Sequence, residues 1–312
     1  DMKAGKVGAI IMSGVNPMYT LPNAADFAEG LEKVDLSVAF SMKEDETSIL
    51  TKYIAAAPHY LESWGDTELT KGQFGLVQPA IRPLFDTKQF QDALLLWNGS
   101  DATYHDYIKS NWEENILNGE SWNQALHDGV FVGNGSNSES IEDTVEDLES
   151  TTLNINAAAR NLASATSNGF ELTLYPKTGM GDGQQANNPW LQEFPDPLTR
   201  ATWDNYLTMS EADARELGLF LEKSTFFTEA RHDADGGLNG KYANITVNGV
   251  TIKVPVMVQP GQAKGSVGLS FGYGRTLGLK TEMQTGVNAY TLYTNFNTVQ
   301  NVTIEATSGK HE

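Results

Sequence analysis

The hydrophobic period changes partway along this 312-residue chain, and that change limits the fold more than any single motif. In the first third, short apolar runs alternate with segments spaced for helices. VGAIIMSG (7–14) ends in glycine, as a buried parallel strand does. NAADFAEGLEKV (23–34) sets Phe27, Leu31 and Val34 at helical spacing behind Asn23, a candidate N-cap. LSVAFSM (36–42) reads as the next strand, and DETSILTKYIAAA (45–57) as a helix with acidic residues at its positive end. VQPAIRPLF (77–85) and the helix-like KQFQDALLLW (88–97) continue the rhythm. A β-α-β-α order predicts a parallel sheet with right-handed crossovers.

Residues 101–127 read as two short helices, and FVGNGSNSESIEDTVEDLES (131–150) as a solvated connection. From Phe170 the period becomes two. FELTLYP, ANITVNGVTIKVPVMVQP, GSVGLSFGYG and NAYTLYT alternate apolar and polar positions between Asn-Gly and Pro-Gly turns. One helix, MSEADARELGL (209–219), interrupts them, with Ser210 and Asp213 placed as a capping box. The expectation is an α/β domain over 1–130, an acidic link over 131–167, and a mainly β domain over 168–312, closed into a barrel.

Charge and composition exclude several functions. With 40 acidic against 21 basic residues the net charge is −19, which argues against a broad nucleic-acid or anionic-lipid surface. Cysteine is absent, so within these residues there is no disulfide, thiolate metal site or cysteine nucleophile. No apolar run is long enough to span a bilayer. DMKAGKVGAIIMSG enters a strand almost at once, the pattern expected of a piece of a longer protein.

Local motifs narrow the chemistry. The carboxylates of 139–149 lack the alternating ligand pattern of a calcium loop and read as a solvated segment. DADGG (233–237) and GMGDGQ (179–184) read as tight surface turns. The histidines (His59, His105, His127, His232 and His311) form no local zinc motif, and His59, near Glu62 and Asp66, is either a proton carrier or a structural residue. SGVNPM (13–18) sits where open α/β sheets bind ligands, after the first strand. There Gly14 permits close backbone approach, Asn16 offers amide donors and Pro17 fixes the turn. VQPGQAKGSVGLSFGYGRT (258–276) is either a glycine-rich cradle for a phosphate or a set of barrel turns.

These segments carry a resemblance. SGVNPMYTLP, DETSI, APHYLESWGD and LVQPAIRPLFDT resemble the third domain of the dimethyl sulfoxide reductase superfamily of molybdopterin oxidoreductases. NPWLQEFPDPLTRATWDNYLTMSEADARELGL, VPVMVQPGQAKGSVGLSFGYGR and GVNAYTL resemble that superfamily's C-terminal domain. The implied fold is a Rossmann-like parallel-sheet domain followed by a double-psi β-barrel. LESWGD, QPAIRPLFDT, GDGQQANNPWLQEFPDP, WDNY and GYGRT most resemble the large iron–sulfur subunit of alternative complex III quinol oxidoreductases, whose molybdopterin-like region is thought to lack the cofactor.

The resemblance implies a cofactor-facing set of Gly14, Asn16, Pro17, Thr47, Asn205, Gly272, Gly274, Arg275 and Asn288. It implies molybdopterin guanine dinucleotide as the family cofactor, but supplies no molybdenum ligand in this chain. Two functions follow. One is a cofactor-free periplasmic scaffold within a membrane-associated respiratory complex, supporting iron–sulfur domains outside this chain. There Arg275 pairs with a local carboxylate, and Tyr19, Trp203 and Tyr273 add bulk near the pocket. The other is the dinucleotide-facing half of an active polysulfide- or tetrathionate-type reductase. An unrelated ligand-binding β domain is a third, weaker reading. In any case the chain alone is expected to be inactive and to self-associate through an uncovered apolar face.

Overall fold

The structure, a computed structural model, describes residues 1–133, 155–164, 169–220 and 240–311. The acidic run 139–149, His232 and DADGG lie outside the described residues, as does most of the expected link. Strand β1 (Ala9–Ser13) leads into helices α1 (Pro17–Thr20) and α2 (Ala24–Leu31), then β2 (Leu36–Ser41) and β3 (Tyr53–Ala56). The three strands form a wholly parallel sheet in the order β1-β2-β3. Val38 and Phe40 bury one face, and the Phe40 ring meets Phe90 and Trp97 of α3 (Phe90–Trp97) edge-on at 5.0 and 6.1 Å. Ile11, Tyr53 and Ile54 remain exposed on the two edge strands.

The second crossover corrects the sequence reading. DETSILTKYIAAA forms no long helix; a single 3₁₀ turn, Ser48–Leu50, precedes β3. The Asp45 carboxylate accepts the amides of Thr47 at 3.1 Å and Ser48 at 2.8 Å. This local bonding closes a tight turn in place of a helix start.

A hairpin of β4 (Gly65–Thr70) and β5 (Gln73–Val77) follows, and β6 (Val130–Val132) joins it in a second, antiparallel sheet. VQPAIRPLF contributes only Val77 to a strand, because Pro79 and Pro83 have no N–H for a ladder. Helices α4 (Tyr104–Asn111) and α5 (Trp122–Asp128), with the π-helical segment Trp112–Ile116 and Leu117 between them, pack Ile108, Trp112, Leu117 and Trp122 over this sheet. The buried Trp112 indole donates to Asp66 Oδ2 at 2.8 Å.

After α6 (Ile155–Ser164), the remaining strands are β7 (Phe170–Tyr175), β8 (Leu207–Met209), β9 (Gly240–Val247), β10 (Val250–Val258), β11 (Ser266–Ser270) and β12 (Val299–His311). They close a six-stranded barrel in the order β10-β8-β11-β7-β12-β9. The pairs β8/β10 and β7/β11 are parallel. Leu172, Leu174, Leu207, Met209, Ile245, Val256 and Leu269 fill the interior. Two short helices, α7 (Pro189–Glu193) and α8 (Glu211–Glu216), flank the barrel, and Ser210 caps α8 by accepting the Asp213 amide at 3.1 Å. NAYTLYT is a 3₁₀ turn rather than a strand, because Asn288 Oδ1 accepts the Tyr290 amide at 3.0 Å and starts it.

Lys177, only 4% exposed, sits beneath the barrel between the rings of Tyr206 and Tyr273, 5.0 and 5.2 Å from their centroids. Its Nζ donates to the Asp204 carbonyl at 3.0 Å. Burial lowers this amine from 10.5 to about 8, against the opposing pull of Asp196 and Asp204. Between those values the unfolded chain holds a proton that the folded chain releases, so the burial penalty is full below pH 8 and fades as pH rises. Lys177→Met therefore gains stability over the wild type at pH 7, and the gap narrows by ~2 kcal/mol toward pH 10. Urea unfolding across that range measures it; a pH-independent gap contradicts the assignment.

Candidate functional site

Most of the residues implied by the resemblance converge on the seam between the parallel sheet and the barrel. Pro17 opens α1, so the loop leaving β1 turns sharply and buries Asn16 beneath it. Asn16 Nδ2 donates to Glu46 Oε2 at 2.7 Å, and Asn16 Oδ1 accepts from the Thr47 hydroxyl at 2.6 Å. That hydroxyl also accepts the Met18 amide at 3.0 Å. From the barrel, Arg275 Nε and Nη2 reach the two oxygens of Glu46 at 3.2 and 2.8 Å, while Nη1 donates to the Gly183 carbonyl at 2.8 Å. The Arg275 side chain is 2% exposed and that of Glu46 21%.

Further bonds cross the same seam. The Tyr19 hydroxyl donates to the Tyr273 carbonyl at 2.7 Å, Asn288 Nδ2 to the Tyr19 carbonyl at 3.0 Å, and Gln184 Nε2 to the Gly14 carbonyl at 3.0 Å. Asn205 is fully engaged within the barrel. Its amide donates to the carbonyls of Ser270 and Val287 at 2.8 and 3.0 Å, and its oxygen accepts the Val287 amide at 2.9 Å.

Electrostatics follow from this packing. Burial pushes the Glu46 carboxyl up, but hydrogen bonds from Arg275 and Asn16 outweigh it and hold the group below its ordinary value. Burial raises the Tyr19 phenol, with Arg275 5.3 Å from its ring centroid. Beside the ion pair is a cleft of 270 Å³ at the carboxyl ends of β1 and β2, lined by Ser13, Gly14, Asn16, Ser41, Lys43, Asp45 and Arg275. Lys43 Nζ is buried without a hydrogen-bond partner among the described residues. Burial and the Arg275 charge lower it to about 8, opposed by Glu46 and Asp45.

The glycines of the 258–276 stretch have different duties. Gly261 and Gly265 have positive φ with open space around them, and serve turns. Gly272 and Gly274 are crossing points: a Cβ on Gly272 would lie 3.0 Å from the Gly181 carbonyl, and one on Gly274 would collide with the Asn288 amide. The segment 179–184, read as a surface turn, is part of this crossing through Gly181, Gly183 and Gln184.

Other candidates are not brought to the seam. His59 caps a 3₁₀ turn, its Nδ1 accepting the Leu61 amide at 3.2 Å, and Glu62 accepts the amides of His59 and Leu84, each at 3.1 Å. Tyr19 and Tyr273 stand at the seam, whereas Trp203 bonds through its amide to Gln192 and does not line the cleft. Among the described residues no group of three or more His, Asp or Glu is placed to hold a metal ion. The sequence reading missed Glu46, Lys43 and Gln184, and the carboxylate on Arg275 is not local but 229 residues away.

Two sets of variants test this geometry. Gly274→Ala should lower the urea unfolding free energy by ~3 kcal/mol or more, since it adds a backbone collision to a positive φ, while Gly261→Ala should cost only ~1 kcal/mol. Arg275→Met, which strands Glu46, should cost ~3 kcal/mol, and the double variant Arg275→Met/Glu46→Leu should recover part of that loss.

No family model matches the chain. A menaquinone reductase, molybdopterin-binding-like subunit, from Nitratidesulfovibrio vulgaris (strain Hildenborough) is 25% identical over 286 residues, covering 88% of this chain and 37% of that protein. Acetylene hydratase from Pelobacter acetylenicus shares the fold, with a TM-score of 0.61 at 15% identity over 99% of this chain and 45% of that one. The chain thus spans less than half the length of either. The sequence similarity to the first and the common fold with the second support the resemblance to the molybdopterin oxidoreductase superfamily that the motifs carry.

Proposed function

We propose that this chain is a cofactor-free scaffold from a respiratory electron-transfer subunit, in which a molybdopterin fold persists as an interlocked support. The observation that carries this reading is the Arg275–Glu46 pair. The guanidinium fork that would grip a phosphate is bidentate on a carboxylate of the same chain. Asn16, Thr47, Asn205 and Asn288 are likewise bonded to protein groups. A donor set already satisfied by the chain's own groups supports the cofactor-free reading.

The relative's description as molybdopterin-binding-like, in a menaquinone reductase, supports a respiratory setting. The narrower likeness in LESWGD, QPAIRPLFDT and GYGRT supports a quinol oxidoreductase of the alternative complex III kind. In this reading the longer protein carries iron–sulfur domains, stands in the periplasm and reaches the membrane through partner subunits. No helix among the described residues is long and apolar enough to cross a membrane. The two parallel strand pairs within a six-stranded closed barrel support a double-psi arrangement, and the domain division proposed is 1–130, 131–167 and 168–312.

Elemental analysis of the purified full-length protein tests the reading. Neither molybdenum nor tungsten should be present in stoichiometric amount. One such metal atom per chain would overturn the scaffold and favour the reductase.

A further inference from the structure

We propose that the cavity between α3 and the loop leading into α4 binds a neutral pyranose ring, stacked on Trp64 with its hydroxyls held by Lys88, Asp92 and Asp101. The site shares no residue with the seam and goes beyond the scaffold reading. Its wall from Lys88 to His105 also falls outside the segments that carry the family resemblance.

Three observations support it. First, the aromatic floor is fixed in advance. Trp64 lines a cavity of 590 Å³, inside the range of roughly 300–1,000 Å³ usual for small-ligand sites. Gln89 clamps the Trp64 backbone, accepting its amide at 3.0 Å and donating to its carbonyl at 2.8 Å. The Trp64 ring meets His105 at 4.5 Å between centroids, and His105 leans on the buried Trp122 at 6.1 Å. An indole held this way adds little ordering cost to binding. The half-exposed Leu96 extends the apolar floor.

Second, the rim offers polar groups with open valences. Asp92 Oδ1 accepts the Tyr104 amide at 2.7 Å, which leaves Oδ2 without a protein donor among the described residues. Lys88 Nζ and the Asp101 carboxylate line the same space and likewise make no hydrogen bond or ion pair among those residues.

Third, the mixture of signs selects the ligand class. An anion would face two carboxylates, and an amine would face Lys88. A hydroxyl donates and accepts at once, so a fringe of hydroxyls serves the carboxylates and the ammonium together. A gluco-configured pyranose carries that fringe at its equator and presents flat C–H faces to an indole.

Isothermal titration and saturation-transfer NMR on the full-length protein test the site, with methyl β-D-glucopyranoside and cellotriose as probes. Both should bind saturably, with a Kd on the order of 1 mM. Sorbitol has the hydroxyls without a ring face, and glucuronate has the ring with an added negative charge; each should bind roughly tenfold more weakly. Trp64→Ala should lose roughly tenfold in affinity. Because Trp64 also packs against the core under α4 and α5, Asp101→Ala on the exposed rim is the second variant, and it should lose roughly threefold. Trp190→Ala removes an indole that is 81% exposed and outside the cavity, and should bind as the wild type does.

Tighter binding of cellotriose supports the site with a glycan chain as its source, and equal binding supports it with a free monosaccharide. The site is refuted if neither probe binds saturably, or if sorbitol or glucuronate binds as well as the glucoside. It is equally refuted if a folded Trp64→Ala or Asp101→Ala keeps the wild-type affinity, or if Trp190→Ala weakens binding as much as Trp64→Ala. None of these results bears on the metal content, which decides the scaffold reading.

Discussion

Residues 46 and 275 bring opposite charges together from the two ends of the chain, and the arrangement of the seam depends on that meeting. A buried arginine is costly to desolvate, and attraction to a carboxylate offsets that cost only with good geometry and further hydrogen bonds. Both conditions hold. The fork is bidentate, the third guanidinium nitrogen reaches the Gly183 carbonyl, and the carboxylate receives Asn16. The four groups come from four segments: Asn16 from the loop after β1, Glu46 from the loop after β2, Gly183 from the segment before α7 and Arg275 from the loop after β11. Misplacing any one of them strands a charge, so the pair selects one relative setting of sheet and barrel.

The glycines make that setting reachable. Loops at 181–183, 272–274 and 287–288 pass each other at backbone contact, too close for a methyl group at Gly274 and tight at Gly272, while Gly286 is packed against the Asn205 and Tyr273 side chains. Such crossings confine the Arg275 backbone to a narrow range of positions. The aromatic layer beneath has the same effect, with Tyr290 stacked on Phe271 at 4.2 Å and meeting Tyr19 edge-on at 5.3 Å. Backbone crossing and anion recognition thus use the same glycine-rich stretch, and its composition alone does not tell which of the two it serves.

How much of this was legible in the sequence follows from the range of each interaction. β1 and β2 are continuous apolar runs, and the barrel strands β9 and β10 alternate around an Asn-Gly turn, so local pattern identifies them. The hairpin β4–β5 escapes because GDTELT is largely exposed and shows no apolar alternation. DETSIL and NAYTLYT mislead for one shared reason. In each, an acid or amide side chain captures nearby backbone amides and makes a turn where propensity favours a regular element. The family motifs located most of the seam, including Asn16, Thr47 and Arg275. Glu46, beside Thr47 in the DETSI segment, reads from the sequence only as an acid at a helix start, because its role is set by a partner that no local pattern reveals.

In the scaffold reading proposed above, the same physics lets the fold persist without a cofactor. Removing an anionic ligand from an arginine-lined crevice leaves buried positive charge, a liability of several kcal/mol. A carboxylate already held by the adjoining loop can cancel it with little change of backbone, provided that the loop is short and fixed at both ends. The turn closed by Asp45 satisfies that condition, since its two amide bonds hold the residues on either side of Glu46 and aim the side chain outward across the seam. Of the two cations at the cleft, Arg275 is answered by a carboxylate, while Lys43 Nζ, on the same loop as Glu46, has no hydrogen-bond partner among the described residues.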